Sequence, residues 1–477
     1  MRRRQRWLTM ISLVAAFALV AAACGDDDDA ETTEAPATTE AATTTEAATT
    51  TEAATTTAPP ETTEAAPEVA FDVGVTMEPC PGSANPDNGC IYLGAISDFT
   101  GPFAIFGRPL VWGHEDFWAV VNAEGGLDGF DVYIGEETVR DGQYNPTVTV
   151  EVYNEIRDSI AMLAESLGTP HTQAALPSYA EDSMVAAVST WWSGFSFPEY
   201  DQGLIIEVGA SYCMEAMNAY EFVIGAMQQQ GLDTFTFATV GFAGDYGSDA
   251  AAGIKFAAAA TGIGEQVAEV FLDSAGPDIE GTVATLVSTA PNVVFLTVGP
   301  TQTAQIMGGA YQAGLQSAMY VGTSPSFHPV LFQLAAELAP LLEAAFFQTS
   351  PYPPWDYEAP GYDVMRAQAE ARGLDPDPGY IAGWVNQYAV KAVLEQAIAN
   401  GDLTRAGIAA AVGQVSEIDF EGILPSQSYG SANESAARGT FVNRPVATAN
   451  GGIEAVTDMF VGQVASAYDF SAPCFAP

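Results

Sequence analysis

The sequence predicts an α/β protein built from two similar units with a cleft between them, and three observations carry that prediction. From Ile91 onward short apolar runs alternate with amphipathic stretches, the order that gives parallel strands covered by helices on both faces. The alternation comes in two sets, one opening at IYLGAI (91–96) and one at FTFATVGF (235–242). The composition, 48% hydrophobic and 16% charged over 477 residues, supplies a large core and excludes a wholly disordered chain.

In the first set IYLGAI reads as a strand, and residues 113–122 as a helix, with Phe117, Trp118, Val120 and Val121 on its apolar side. Pro109 precedes that helix and Gly125–Gly126 close it. GFDVYIGEETV (129–139) reads as the next strand. The second set runs strand 235–242, helix 249–260, strand 266–273, helix 279–290, strand 292–298, helix 303–314 and strand 319–324. A third stretch places Ile381, Trp384, Val385 and Tyr388 at helical spacing and stops at Asn400–Gly401. In such sheets ligands gather at the carboxyl ends of the strands.

The front of the chain is not globular. Arg2, Arg3, Arg4 and Arg6 precede the apolar run Trp7–Ala23, which ends in small residues before Cys24 and GDDDD. This reads as an export signal over residues 1–23 rather than a membrane-spanning helix. Its end resembles the lipobox of bacterial lipoproteins, in which the cysteine is lipidated and becomes the new N-terminus; that resemblance makes Cys24 the lipid anchor. Two departures are Leu19, five residues ahead of the cysteine, and Ala21 in the place of the preferred leucine. The alternative is a secreted protein cut nearby. Residues 24–70 form a near-repeat of Thr, Glu and Ala without an aromatic residue, which reads as a disordered tether.

Lys and Arg total 14 against 60 Asp and Glu, a net charge of −46. Twelve acids and four bases lie ahead of position 71, so the folded part alone carries about −38. That balance excludes nucleic acid as a partner. It fits a saline habitat or a compositional bias of the lineage equally.

After Cys24 four cysteines remain, an even number that suggests disulfides in an exported chain. Three pairings are open. Cys80 and Cys90 flank PGSANPDNG, a loop able to turn back on itself, which favours that pair, tying an N-terminal segment 71–89 to the start of the first lobe, and leaves Cys213 with Cys474. No metal site is expected, since there is no CxxC and His114, His171 and His328 are scattered. Neither a GxSxG elbow, a P-loop nor HExxH occurs, and Gly262-Ile263-Gly264 lacks the third glycine of a dinucleotide loop, so no cofactor and no catalytic activity are expected.

IYLGAISDFTGPFAIFGRPLVWG followed by NAEGGLDGFDV resembles the opening of type I periplasmic solute-binding proteins of the Leu/Ile/Val-binding kind, and GTPHTQAALP, VSTWWSG and GDYGSD follow in the family's order. The likeness spans roughly 90–465. It implies two Rossmann-like lobes with parallel sheets joined by a three-crossing hinge, the first made of 90–207 and 349–439 and the second of 208–348 and 440–477. It further implies capture of a small solute, an amino acid, amide or organic acid, by a monomer that delivers it to the permease of an ABC transporter. A sensor module of the same fold is the alternative, and a degenerate hydrolase would need a nucleophile and base that the sequence does not supply.

Carried over position by position, the resemblance puts Thr169, His171 and Thr172 on one ligand-contacting loop and Trp191 and Ser193 on the next. It puts Phe106 over the ligand from the first lobe and Tyr246 over it from the second. Of the adjacent Trp191 and Trp192, one must point away from the other in extended chain. The acid that pairs a ligand's ammonium in amino-acid binders is missing, with Ser324 of VGTSPS near its place, which suggests a less polar solute. Arg108, beside the first turn, is a candidate partner for an anionic ligand.

Overall fold

The strand Gly89–Ser97 is buried along nearly its whole length, as a strand covered on both faces must be. In this computed structural model, which describes residues 69–476, it organises the first of two seven-stranded sheets. Met162–Leu167, Ala186–Ser189 and Ile205–Ile206 follow from it in parallel. Val75–Thr76 pairs with it antiparallel. The export signal, Cys24 and nearly all of the tether lie outside the described residues. The tether's expected end at residue 70 is one step late, because Ala70–Phe71 already pairs with Asp402–Leu403.

Two expectations in this half need correcting. The single strand read from 129–139 is two, Phe130–Tyr133 and Val139–Asp141, both parallel to Gly89–Ser97. A turn in which the Thr138 N–H donates to the Gly135 carbonyl separates them. The helix expected from 113 begins at Ala104 and runs to Ala123, taking in Pro109. A proline ring already holds a helical φ, so the helix continues through it with the loss of one backbone hydrogen bond.

The second sheet has the order Glu265–Leu272, Thr236–Phe242, Val293–Thr297, Met319–Gly322, Phe346–Ser350, Phe441–Pro445 and Ile453–Ala455. Its first five strands are parallel. Phe441–Pro445 runs antiparallel to Phe346–Ser350, a departure from the purely parallel expectation, and forms with Ile453–Ala455 an antiparallel hairpin closed by Val446 N–H on the Gly452 carbonyl. The chain passes from the first sheet to the second after Ile206, leaves the second after Ser350 and rejoins it at Phe441, three passages in all.

Between the second and third passages the helix Pro378–Ala399 packs back on Ala104–Ala123. Its start is fixed by Asp377, whose carboxylate accepts from the Gly379 and Tyr380 N–H groups, and by proline at the first helical position. The two backbones touch where Gly113 meets Tyr380 and Trp384, and where Gly383 meets Leu110; a Cβ at either glycine would collide with backbone atoms. Disulfides join Cys80 to Cys90 and Cys213 to Cys474, with Cα–Cα distances of 4.8 and 6.3 Å. Among the described residues no helix is long and apolar enough to cross a membrane.

Candidate functional site

The strand ends of both sheets and the starts of several helices converge on one cavity of about 840 Å³ of non-protein space, counting its opening to solvent. From the first sheet come Leu167 and Gly168 at the end of one strand, and Ser189, Thr190 and Trp191 at the end of the next. From the second come Ser324 and Pro325 past Met319–Gly322, with Gln348 and Ser350 on Phe346–Ser350. Helix starts add Phe103 and Phe106, Tyr212, Tyr246, and Pro378 and Gly379. This is where doubly wound sheets bind ligands.

Aromatic rings form most of the wall and brace one another. Tyr212 lies 4.6 Å from Tyr246 and 5.9 Å from Trp191, which is also 5.9 Å from Tyr352. Phe103 contacts Tyr144 at 4.8 Å and Tyr246 at 6.4 Å. The turn that presents Phe103 and Phe106 is held by Asp98, whose carboxylate accepts from the N–H groups of Thr100, Gly101 and Phe103. Desolvation raises the pKa of Asp98 against the pull of those same bonds.

The eight residues expected at the site divide in two. Phe106, Trp191, Tyr246 and Ser324 line the cavity. The tryptophan question resolves with Trp191 on the wall, its Nε1–H bound to the Val208 carbonyl at 2.7 Å, and Trp192 in the core, bound to the Phe475 carbonyl at 2.9 Å. The remaining four sit one layer back. Thr169 bonds Thr190, a lining residue. His171 packs its ring 4.1 Å from that of Tyr144, and burial lowers its pKa and keeps it neutral. Thr172 is engaged by Ser166 at 2.8 Å. Ser193 gives its hydroxyl and its N–H to Asp249 and accepts from the Cys474 N–H at 2.9 Å. GTPHTQAALP is therefore a helix from Thr169, not a loop, and its side chains turn into the fold. Arg108 lies outside the lining, exposed, with its guanidinium 4.0 Å from the Phe99 ring.

Two acids that sequence reasoning missed lie close behind the wall. Glu215 is fully buried; its Oε1 accepts from the Ser324 N–H at 3.0 Å and from the Thr349 hydroxyl at 2.7 Å. Glu207 accepts from the Ser196 hydroxyl at 2.9 Å. Burial pushes both carboxyls up to about 8, so both are largely protonated at neutral pH. The signal was present: each acid sits inside an apolar run, IIEVGA and YCMEAM, where a solvated carboxylate has no place.

Residues 91–467 match the model of a family described as periplasmic binding protein. The chain belongs to that family. Its fold is accordingly the type I periplasmic-binding-protein fold, α/β with two largely parallel sheets. Among solved structures it is similar to a fatty acid ABC transporter substrate-binding protein from Thermomonospora curvata, at 26% identity over 85% of this chain and 97% of that one, with a TM-score of 0.74. It shares the fold of a branched-chain amino acid ABC transporter protein from Thermus thermophilus with bound valine, at 17% identity, 79% and 98% coverage, and a TM-score of 0.66. It also shares that of an R. palustris solute-binding protein in complex with 4-hydroxybenzoate, at 16% identity, 78% and 98% coverage, and a TM-score of 0.65. A comparison with curated protein sequences found no match.

Proposed function

We propose that this protein is an extracytoplasmic solute-binding lipoprotein, anchored to the outer face of the cytoplasmic membrane through Cys24, that captures a small solute and delivers it to an ABC transporter permease. The observation that carries the reading is the aromatic cavity at the strand ends of both sheets, fed by residues from each. The lobes in this reading are 90–207 with 349–439, and 208–348 with 440–477. A solute touching both has more partners when they are closed, so binding favours closure about the three passages, and the permease reads the closed form.

Phe106, Trp191, Tyr246 and Ser324 are the contacts of this reading, with Thr169 acting through Thr190 and with His171, Thr172 and Ser193 holding the wall from behind. An apolar body with few polar atoms suits the wall, as in organic acids and amides. The fatty acid ABC transporter substrate-binding protein from Thermomonospora curvata, 26% identical to this chain, is named for ligands with such a body.

A thermal-shift screen of the purified full chain against amino acids, amides, aromatic acids and short organic acids tests the reading. Ligand that binds only the folded state raises the melting temperature. At least one apolar-bodied member is expected to do so, and Trp191→Ala is expected to abolish the shift. A panel that leaves the melting temperature unmoved throughout sinks the proposal.

A further inference from the structure

The polar atoms of the cavity sort into those already bonded within the protein and those that are not. The Tyr246 hydroxyl pairs with Thr323 at 2.8 Å, the Tyr352 hydroxyl donates to Asn386 Oδ1 at 2.6 Å, and Trp191 Nε1–H is held by Val208. Thr190 is engaged by Thr169. Tyr212 is engaged by Thr190, Ser350 Oγ accepts from the Tyr352 N–H, and Tyr144 is engaged as well. Among the lining side chains Ser189 Oγ, Ser324 Oγ and Gln348 Oε1 are buried atoms without a hydrogen-bond partner. Gln348 is 3% exposed, and its Nε2–H donates to the Ser324 carbonyl at 2.6 Å, which leaves Oε1 as an acceptor. No Asp, Glu, Lys, Arg or His is among the described residues that line the cavity.

These facts restrict the solute's head group. Gln348 Oε1 needs a donor, and the serine hydroxyls can each donate or accept. A carboxylate brings only acceptors, so it sets negative charge against Gln348 Oε1 with no cation to offset its desolvation. An ammonium finds no ionised acid, since the nearby Glu215 carboxyl is held largely neutral by burial. A head that is uncharged and both donates and accepts, a primary amide or a hydroxyl, can satisfy all three.

We propose that the cavity selects solutes with an uncharged amide or hydroxyl head on an apolar body, and that Gln348, with Ser324, is the residue that sets this selection. The inference rests on the solute-binding reading above and narrows its substrate class. It excludes zwitterionic amino acids and ionised acids as preferred ligands.

The test is calorimetric titration of the full chain with two matched sets sharing one body each: phenylpropanamide, phenylpropanol, phenylpropanoate and phenylalanine, then hexanamide, hexanol, hexanoate and norleucine. The amide or alcohol is expected to bind about tenfold or more tightly than the charged members of its set, as one buried unpaired polar group dictates. Gln348→Met should bring that ratio towards one, a change that loosened packing alone would not produce, since it would weaken all members together. Ser324→Ala, which leaves the strand intact, should reduce the ratio if Gln348→Met fails to fold. Charged members binding as tightly as the amide would overturn the inference while leaving solute binding standing. An unchanged ratio in both variants would remove Gln348 and Ser324 as selectors. Titrations without heat for any member, together with a negative thermal-shift screen, would overturn both proposals.

Discussion

Glu215 shows how a single residue couples burial, protonation and the shape of the site. Its carboxyl ties the backbone of Ser324 to the strand carrying Thr349, so the second-sheet wall depends on it. Unfolded, a glutamate has its ordinary pKa near 4.5; folded, burial holds this one at about 8. Between those values the folded state binds more protons than the unfolded one, so stability falls as pH rises through that window and the loss is complete above it. Each tenfold in proton affinity corresponds to roughly 1.4 kcal/mol, so several kcal/mol are involved. Glu215→Gln imitates the protonated form, and urea titrations from pH 5 to 9 should show a flatter decline than in the parent protein. An identical slope in the two would mean that the carboxyl is ionised in the fold. Glu207 obeys the same sign and leaves part of the slope in the variant. Neither acid is picked out by counting carboxylates in so acidic a chain, because what distinguishes them is the apolar run around them. Trp191 and Trp192 were legible only as a pair: alternation says that they separate, but which one faces the cavity depends on the Val208 and Phe475 carbonyls, far off in sequence.

At the scale of elements, the crossing of Ala104–Ala123 with Pro378–Ala399 sets part of the cavity's shape. Phe106 and Leu110 from the first helix and Ile381 and Ala382 from the second line it, within a turn of the glycine contacts. Gly383→Ala would place a methyl group against the Leu110 backbone, where no flexible side chain can yield. The helices must then separate, at a cost of about 1–3 kcal/mol. Chemical denaturation is expected to register that loss, with a weakened thermal shift by any solute that binds. A variant with parental stability would mean that the crossing relaxes freely. Strand and helix order was legible because the apolar periodicity is strong, as in the run from Thr236 to Gly322. What sequence missed were places where a local rule is overruled: Pro109 carried inside a helix, and one apolar run cut in two by the Gly135–Thr138 turn.

For the whole molecule, the C-terminal segment acts as a clasp on the first passage between the sheets. Cys474 is bonded to Cys213 at the start of the helix Tyr212–Gln229, its N–H reaches Ser193, and the next carbonyl receives Trp192. Asp249, on a second-sheet helix, binds both Ser193 and the Cys213 N–H, so the loop behind Trp191 is gripped from both sides. The Cys213–Cys474 bridge spans 261 residues, the Cys80–Cys90 bridge only 10. Loop-closure entropy in the unfolded chain grows with the logarithm of that span, so the long bridge is worth more, about 2–4 kcal/mol or somewhat above. Replacing both Cys213 and Cys474 with serine should therefore lower the melting temperature further than replacing Cys80 and Cys90. It should also disturb the cavity, because Trp191 adjoins the clasped residues whereas the short loop caps the far end of the strand Gly89–Ser97. Measuring both variant pairs with and without a solute that binds separates the two effects. Equal losses of stability, with solute affinity untouched in each, would show that the C-terminal clasp has no part in shaping the site.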